Sequence, residues 1–217
     1  MSNCPLCHGA NLSPYHSDRK RNYLQCGSCR LVIADPASRL TPEQEKAVYD
    51  QHENSPDDPG YQRFLSRLAV PLMEKLRQET PADVSGLDFG CGSGPALCQM
   101  LTQAGYPTVG YDPYYAPNTQ LLDTQYDFVT CTEAIEHFYT PAKEWQLLVS
   151  LVKPGGWLAI MTKLVRSPEA FAGWHYKNDP THVSFFSRET FGFLAERDGL
   201  QLEFAADDVM LLKKVQA

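Results

Sequence analysis

Residues 87–94 read Leu-Asp-Phe-Gly-Cys-Gly-Ser-Gly, and the fold turns on this stretch. The apolar run closing on Asp88 and Phe89 has the length and composition of a parallel strand buried on both faces. Gly90, Gly92 and Gly94 then permit a tight turn and a close backbone approach to a ligand. Pro95, Ala96 and Leu97 open a helix, where proline is tolerated in the first turn. Thr108 to Tyr111 reads as the next strand, with Asp112 at its carboxyl end, 20 residues after Gly92. An acid at that point can accept hydrogen bonds from a ribose. The pattern predicts a nucleoside-cofactor site in a doubly wound α/β sheet.

The glycine spacing selects among nucleoside cofactors. A dinucleotide site prefers G-x-G-x-x-G, so that the pyrophosphate reaches the helix N-terminus. Here the third glycine comes one residue early, and Asp88 stands where a diphosphate would be repelled. A cation bearing a ribose fits better. The segment resembles motif I of class I S-adenosylmethionine (SAM)-dependent methyltransferases, acid-x-G-x-G-x-G. That resemblance implies that Gly90, Cys91, Gly92 and Gly94 form the floor under the methionine moiety. It also implies that Asp88 anchors that moiety and that Asp112, followed by Pro113, binds the ribose.

Three further segments follow in the family's order. Tyr126 to Cys131 reads as the fourth strand. Thr132 and Glu133 come next, as cofactor neighbours by the same resemblance, and Glu133-Ala-Ile-Glu136-His137 resembles the E-x-x-E-H turn of ubiquinone and sugar methyltransferases. Val152-Lys-Pro-Gly-Gly-Trp-Leu158 is similar to the family's entry into strand five. The resemblance covers about residues 60–217 and implies a Rossmann-like sheet of seven strands in the order 3-2-1-4-5-7-6. The third strand should be weak. Between Asp112 and Asp127 the chain is short and carries Pro113 and Pro117, so the adenine-contacting region is abbreviated; Tyr114 or Leu122 are candidates for it.

Ahead of this domain lie Cys4, Cys7, Cys26 and Cys29, two C-x₂-C pairs 18 residues apart. Each pair can wrap a tight knuckle, and two knuckles complete a tetrahedral thiolate set for Zn²⁺. Four thiolates leave no open position, so the expected role is structural. A ribbon over residues 1–35 should contain strands at Tyr23–Cys26 and Arg30–Ile33. Its basic trio Arg19, Lys20 and Arg21 reads as a solvated hairpin tip, with phosphate contact as the alternative. Residues 36–60 form a helical linker, with a Thr41-capped helix and a polar loop from 51 to 60. Residues 61–217 form the methyltransferase-like domain, entered by a helix with apolar Phe64, Leu65, Leu68, Leu72 and Leu76 on one face.

The chain has 217 residues and a formal charge of −7. That balance disfavours nonspecific binding to nucleic acid or to anionic membranes. The sequence has no membrane-spanning apolar run and no secretory signal pattern at its start, so a cytoplasmic protein is expected. Methyl transfer needs a base only when the nucleophile starts protonated with a high pKa. The candidates are His182, in Asp-Pro-Thr-His-Val, and His137 with Glu136 in the acid–histidine turn. Trp174 and Tyr176 are expected to stack on a substrate or to floor a lid. The favoured acceptor is a small or medium-sized metabolite, methylated at oxygen or carbon. RNA or protein methylation with the ribbon as docking module is one alternative, and a non-catalytic SAM-binding zinc-ribbon protein is another.

Overall fold

The computed structural model describes residues 3–51, 55–79 and 83–215. Of the polar loop expected at 51–60, positions 52–54 fall outside the described residues. The chain opens with three short antiparallel strands, β1 (Leu12–Ser17), β2 (Asn22–Cys26) and β3 (Val32–Ala34). The first was not anticipated from the sequence; the other two fall close to the expected segments. A helix α1 (Pro42–Tyr49) follows, started by a reciprocal cap in which the Thr41 hydroxyl accepts from Gln44 N–H and the Gln44 side chain accepts from Thr41 N–H. Next, α2 (Pro59–Glu79) runs through Pro71 and buries Leu65, Leu68, Leu72 and Leu76.

The main sheet is built from β4 (Gly86–Phe89), β5 (Thr108–Tyr111), β6 (Tyr126–Thr132) and β7 (Val152–Met161), all parallel. Between them run α3 (Ala96–Gln103) and α4 (Pro141–Leu151). A short helix α5 (Pro168–Ala172), a two-residue strand β8 (Ser184–Phe185) and α6 (Arg188–Asp198) precede the closing antiparallel pair, β9 (Leu200–Ala206) and β10 (Val209–Lys214). The six strands lie in the order β5-β4-β6-β7-β10-β9. This is the expected 2-1-4-5-7-6. The weak strand at the third position does not form among the described residues. Its stretch instead makes a 3₁₀ turn, Thr119–Asp123, after a bridge between Asp112 and Ala116. Pro113 and Pro117 remove backbone donors that a ladder would need.

Strand side chains alternate between two cores. Phe128, Trp157, Ala159 and Leu211 face α2 and α3. Val129, Leu158, Ile160 and Leu212 face α4 and α6, and Leu6, Leu31 and Ile33 of the N-terminal segment join that same cluster. The small sheet is not free-standing either. β3 pairs with β8, so its order is β1-β2-β3-β8.

Candidate functional site

The glycine loop, the end of β5 and the end of β6 enclose a cleft of ≈ 660 Å³. Gly90, Cys91, Gly92 and Ser93 form its floor. Gly92 has φ +66° and nothing within 4 Å of where a Cβ would stand, while a Cβ at Gly90 would meet the Ala134 methyl at 2.7 Å. The loop is therefore shaped by glycine at both points. Asp112 lines one wall with its carboxylate fixed by three backbone donors: Gly92 N–H at 3.1 Å, Tyr114 N–H at 2.8 Å and Tyr115 N–H at 3.0 Å. A carboxylate offers about four lone-pair sites, so acceptor capacity remains for a ligand hydroxyl.

The opposite wall carries Thr132, Glu133 and His137. Glu133 adopts φ +47°, a left-handed conformation that a side-chain-bearing residue rarely takes. Its Oε1 is buried without a hydrogen-bond partner, and so are Thr132 Oγ1 and the Tyr139 hydroxyl on the same cleft. Glu144 Oε2 on the same cleft is a fourth such atom. Buried polar atoms normally find partners, and four orphans on one cleft mark it for a polar ligand. Burial, reinforced by the Glu136 charge, raises the Glu133 carboxyl to about 8.

Behind that wall lies a polar cluster. Glu136 is 1% exposed and accepts from the hydroxyls of Thr162 (3.0 Å) and Tyr176. His137 Nδ1 lies 3.2 Å from Thr181 O, which as a carbonyl can only accept, so Nε2 is left as an acceptor. His182 Nδ1 donates likewise to Tyr176 O at 2.8 Å. The two imidazoles pack edge to face, 4.8 Å between centroids. Burial lowers His182 to about 4, so that ring is neutral at physiological pH. Glu136, His137 and His182 could jointly approach a metal, but the Glu136 carboxylate already holds two hydroxyl donors.

Over the cleft sits α1. Glu45 is 7% exposed and accepts from the hydroxyls of Tyr49 and Tyr114, both at 2.8 Å, while Asp50 accepts from Tyr115 at 2.7 Å. The Tyr49 ring stands edge-on to His137 at 5.2 Å.

The four N-terminal cysteines converge: the Sγ atoms lie within 4.8 Å of one another, with Cys4–Cys29 at 3.6 Å and Cys7–Cys26 at 3.5 Å. The two knuckles repeat the same backbone. His8 N–H donates to Cys4 O and Arg30 N–H to Cys26 O, and both His8 and Arg30 take left-handed φ, 61° and 62°.

The profile of the methyltransferase domain family matches residues 61–203. The chain belongs to that family. Among curated relatives of this methyltransferase, the ubiquinone biosynthesis O-methyltransferase of Bordetella bronchiseptica is 35% identical over 128 residues, covering 46% of this chain and 52% of that protein. The protein of the same name from Leptothrix cholodnii is 30% identical over 129 residues, covering 46% and 54%. The chain thus spans about half the length of the curated relatives it matches. Two solved structures share the fold. DesVI of Streptomyces venezuelae gives a TM-score of 0.51 at 15% identity, covering 82% of this chain and 100% of that one. An O-methyltransferase family protein from Burkholderia thailandensis gives 0.51 at 14%, covering 80% and 63%. The class I SAM-dependent methyltransferase fold, with SAM as cofactor, follows.

The methyltransferase brings together on its cleft Gly90, Cys91, Gly92, Asp112, Pro113, Thr132, Glu133 and His137. Asp88, Gly94, Glu136 and His182 are not part of the lining. Asp88 is buried under the loop, accepting from Thr130 Oγ1 at 2.7 Å; burial raises it to about 6. His182 packs against His137, and of the two only His137 lines the cleft. Of the two adenine-region candidates, Tyr114 lines the cleft and Leu122 does not. Sequence reasoning missed Glu45, Tyr49 and Tyr61 as cleft residues. The only available signal was their place in helices flanking the domain entry.

Proposed function

We propose that the chain transfers the methyl group of SAM to an oxygen or carbon nucleophile of a small or medium-sized metabolite. The observation that carries this reading is the Asp112 carboxylate, held by the glycine loop at the edge of a cleft with unpartnered polar atoms. Bound SAM would supply a methyl carbon on a sulfonium, and the sulfur would leave with the bonding pair as a thioether. The residues proposed to hold it are Gly90, Cys91 and Gly92 at the loop, with Gly94 shaping the loop from outside the lining, Asp112 and Pro113 at the ribose, and Thr132 and Glu133 opposite. Asp88 supports the loop from below. His137 Nε2 faces the task of taking the proton that a hydroxyl or carbon acid gives up on methylation. His182 and Glu136 position it. Only modest protein chemistry is required beyond this, because alignment of nucleophile and methyl supplies much of the rate.

For residues 1–35 we propose a structural zinc ribbon, with residues 36–60 as linker and 61–217 as the methyltransferase domain. Four sulfurs at Zn–S ≈ 2.3 Å stand about 3.8 Å apart in a tetrahedron; the observed 3.5 and 3.6 Å pairs are near that spacing.

The test is calorimetry of the purified protein with SAM and S-adenosylhomocysteine, followed by a methyl-acceptor screen. Saturable heat with both is expected. No heat from folded protein would remove the reading. Once an acceptor is found, His137→Ala should abolish turnover while leaving cofactor affinity in place; full turnover would strip His137 of its role.

A further inference from the structure

A second cleft, of ≈ 380 Å³, opens beside the cofactor cleft. Its charge runs against that of the molecule. On a chain of formal charge −7, its rim carries Arg67, Lys163 and Arg166 with Arg188 close behind, against two carboxylates. Asp208, 10% exposed, is taken up by Arg67. Asp207, 77% exposed, is shared between Arg166 at 3.4 Å and Arg188 at 3.6 Å, contacts that water screens. Lys163 has no ion pair among the described residues. Its contacts are His175 Nε2 at 3.5 Å and the face of the Tyr176 ring at 5.3 Å. Positive charge is therefore left over at Lys163. Next to it the cleft turns apolar, with Phe171 and the half-buried Trp174 ring.

Tyr176 connects the linings of the two clefts, which have no residue in common. The Trp174 ring packs on Tyr176 at 5.0 Å, and the Tyr176 hydroxyl oxygen, whose hydrogen goes to Glu136, lies 3.4 Å from Glu133 Oε2. Glu133 faces the cofactor cleft and senses the Lys163 charge. Both clefts open at the carboxyl edge of neighbouring strands: Glu133 follows β6, Lys163 follows β7, and Glu133 N–H donates to Met161 O at 2.8 Å.

We propose that this second cleft anchors the methyl acceptor, taking an anionic group of that acceptor, phosphate or carboxylate, on Lys163 and its ring or apolar face against Trp174. The acceptor's other end then points over Tyr176 toward Glu133 and the cofactor cleft. Fixing one end in this way supplies the alignment that methyl transfer needs. The inference rests on the methyl-transfer reading, but its test can fail separately.

Trp145 and Trp157 are buried, so Trp174 is the tryptophan that reports on this cleft. The full-length protein, with S-adenosylhomocysteine binding first checked by calorimetry, is titrated with phenyl phosphate, benzoate and phenol while tryptophan fluorescence is read. A saturable change is expected with one or both anions, weakened by salt, and none with phenol. The tighter of the two anions tells phosphate from carboxylate. Lys163→Met should weaken anion binding at least about tenfold, the loss of one charged hydrogen bond, and Lys163→Arg should restore it. Should Lys163→Met fail to fold, the exposed Arg166→Met takes its place, with a smaller loss expected. The proposal is overturned if neither anion saturates while S-adenosylhomocysteine binds normally. It is also overturned if phenol binds as well as the anions, if Lys163→Met or its substitute Arg166→Met leaves affinity unchanged, or if phenyl phosphate competes with S-adenosylhomocysteine. Absence of S-adenosylhomocysteine binding with intact anion binding would instead remove the methyl-transfer reading and leave an anion site.

Discussion

Glu133 holds a left-handed backbone, an unpaired buried oxygen and a carboxyl raised to about 8, all at one position. The backbone alone costs on the order of 1–3 kcal/mol. Such strain persists where the surroundings over-determine it, and here it turns the side chain onto the cleft. The raised carboxyl has a consequence for stability. In the unfolded chain this group titrates near its ordinary 4.5, so between about 4.5 and 8 the folded protein keeps a proton that the unfolded chain has lost. Stability from this residue is full below pH 4.5 and declines as pH rises through 8. Glu133→Gln removes the titration. In ligand-free thermal melts the variant should match the parent near pH 4.5 and exceed it at pH 9; equal midpoints at pH 9 would contradict the assignment. Asp112 accepts from three backbone N–H groups and keeps acceptor capacity for a ligand. Asp112→Ala should weaken SAM binding by about tenfold or more, since a charged hydrogen bond is worth roughly 1.5–3 kcal/mol; unchanged calorimetric affinity would refute the ribose role. Asp112 was legible in the sequence because strand ends in these sheets fall at predictable intervals. The backbone of Glu133 was not, because nothing in Thr-Glu-Ala marks a left-handed turn.

At the scale of elements, Arg21 departs most from expectation. It belongs to the basic trio read as a hairpin tip, yet it is 8% exposed. Its guanidinium donates to the carbonyls of Lys177, Asp179 (2.7 Å), Pro180 (3.3 Å) and His182 (2.8 Å). Five donors in a rigid fork suit this task, and a lysine could not copy it. Nearby, the almost buried Lys177 pairs with Asp18, which holds that carboxyl well below its usual range. The N-terminal hairpin therefore braces the segment that carries Thr181 and His182, against which His137 rests. Arg21→Met should destabilise the fold by roughly 3 kcal/mol, because buried carbonyls lose their donor, and Arg21→Lys should recover little; chemical denaturation would measure both, and a loss under about 0.5 kcal/mol, the size of an ordinary surface change, would mean the brace is idle. The spacing of the helices, by contrast, was readable. Thr41 begins a helix with the expected cap, and the Leu65-Leu68-Leu72-Leu76 stripe is buried as its period implies.

Across the whole molecule, the parallel core was legible because its motifs are local in sequence and mark where strands begin or end: Gly90 to Gly94, Asp112, Glu133 to His137 and Pro154 to Gly156 near the start of β7. What escaped was set by contacts distant in sequence. No local pattern announces that β3 will pair with Ser184 and Phe185, or that Leu6, Leu31 and Trp145 will share one core. This integration predicts how metal loss would spread. If the proposed zinc ribbon holds its metal, a chelator should raise hydrogen exchange in residues 3–35 and also in 177–186. An increase confined to 3–35 would mean that the two regions are energetically independent. Cys26→Ser should reproduce the chelator's pattern without it.

The pairing of Val32 with Phe185 also bears on how the protein is made. About 150 residues separate the two partners, so a nascent chain leaving the ribosome presents the outer edge of β3 long before its mate exists. During that interval an unpaired strand edge stays open to other chains. Translation speed through the stretch between β3 and β8 thus sets how long the newborn protein remains exposed to mispairing.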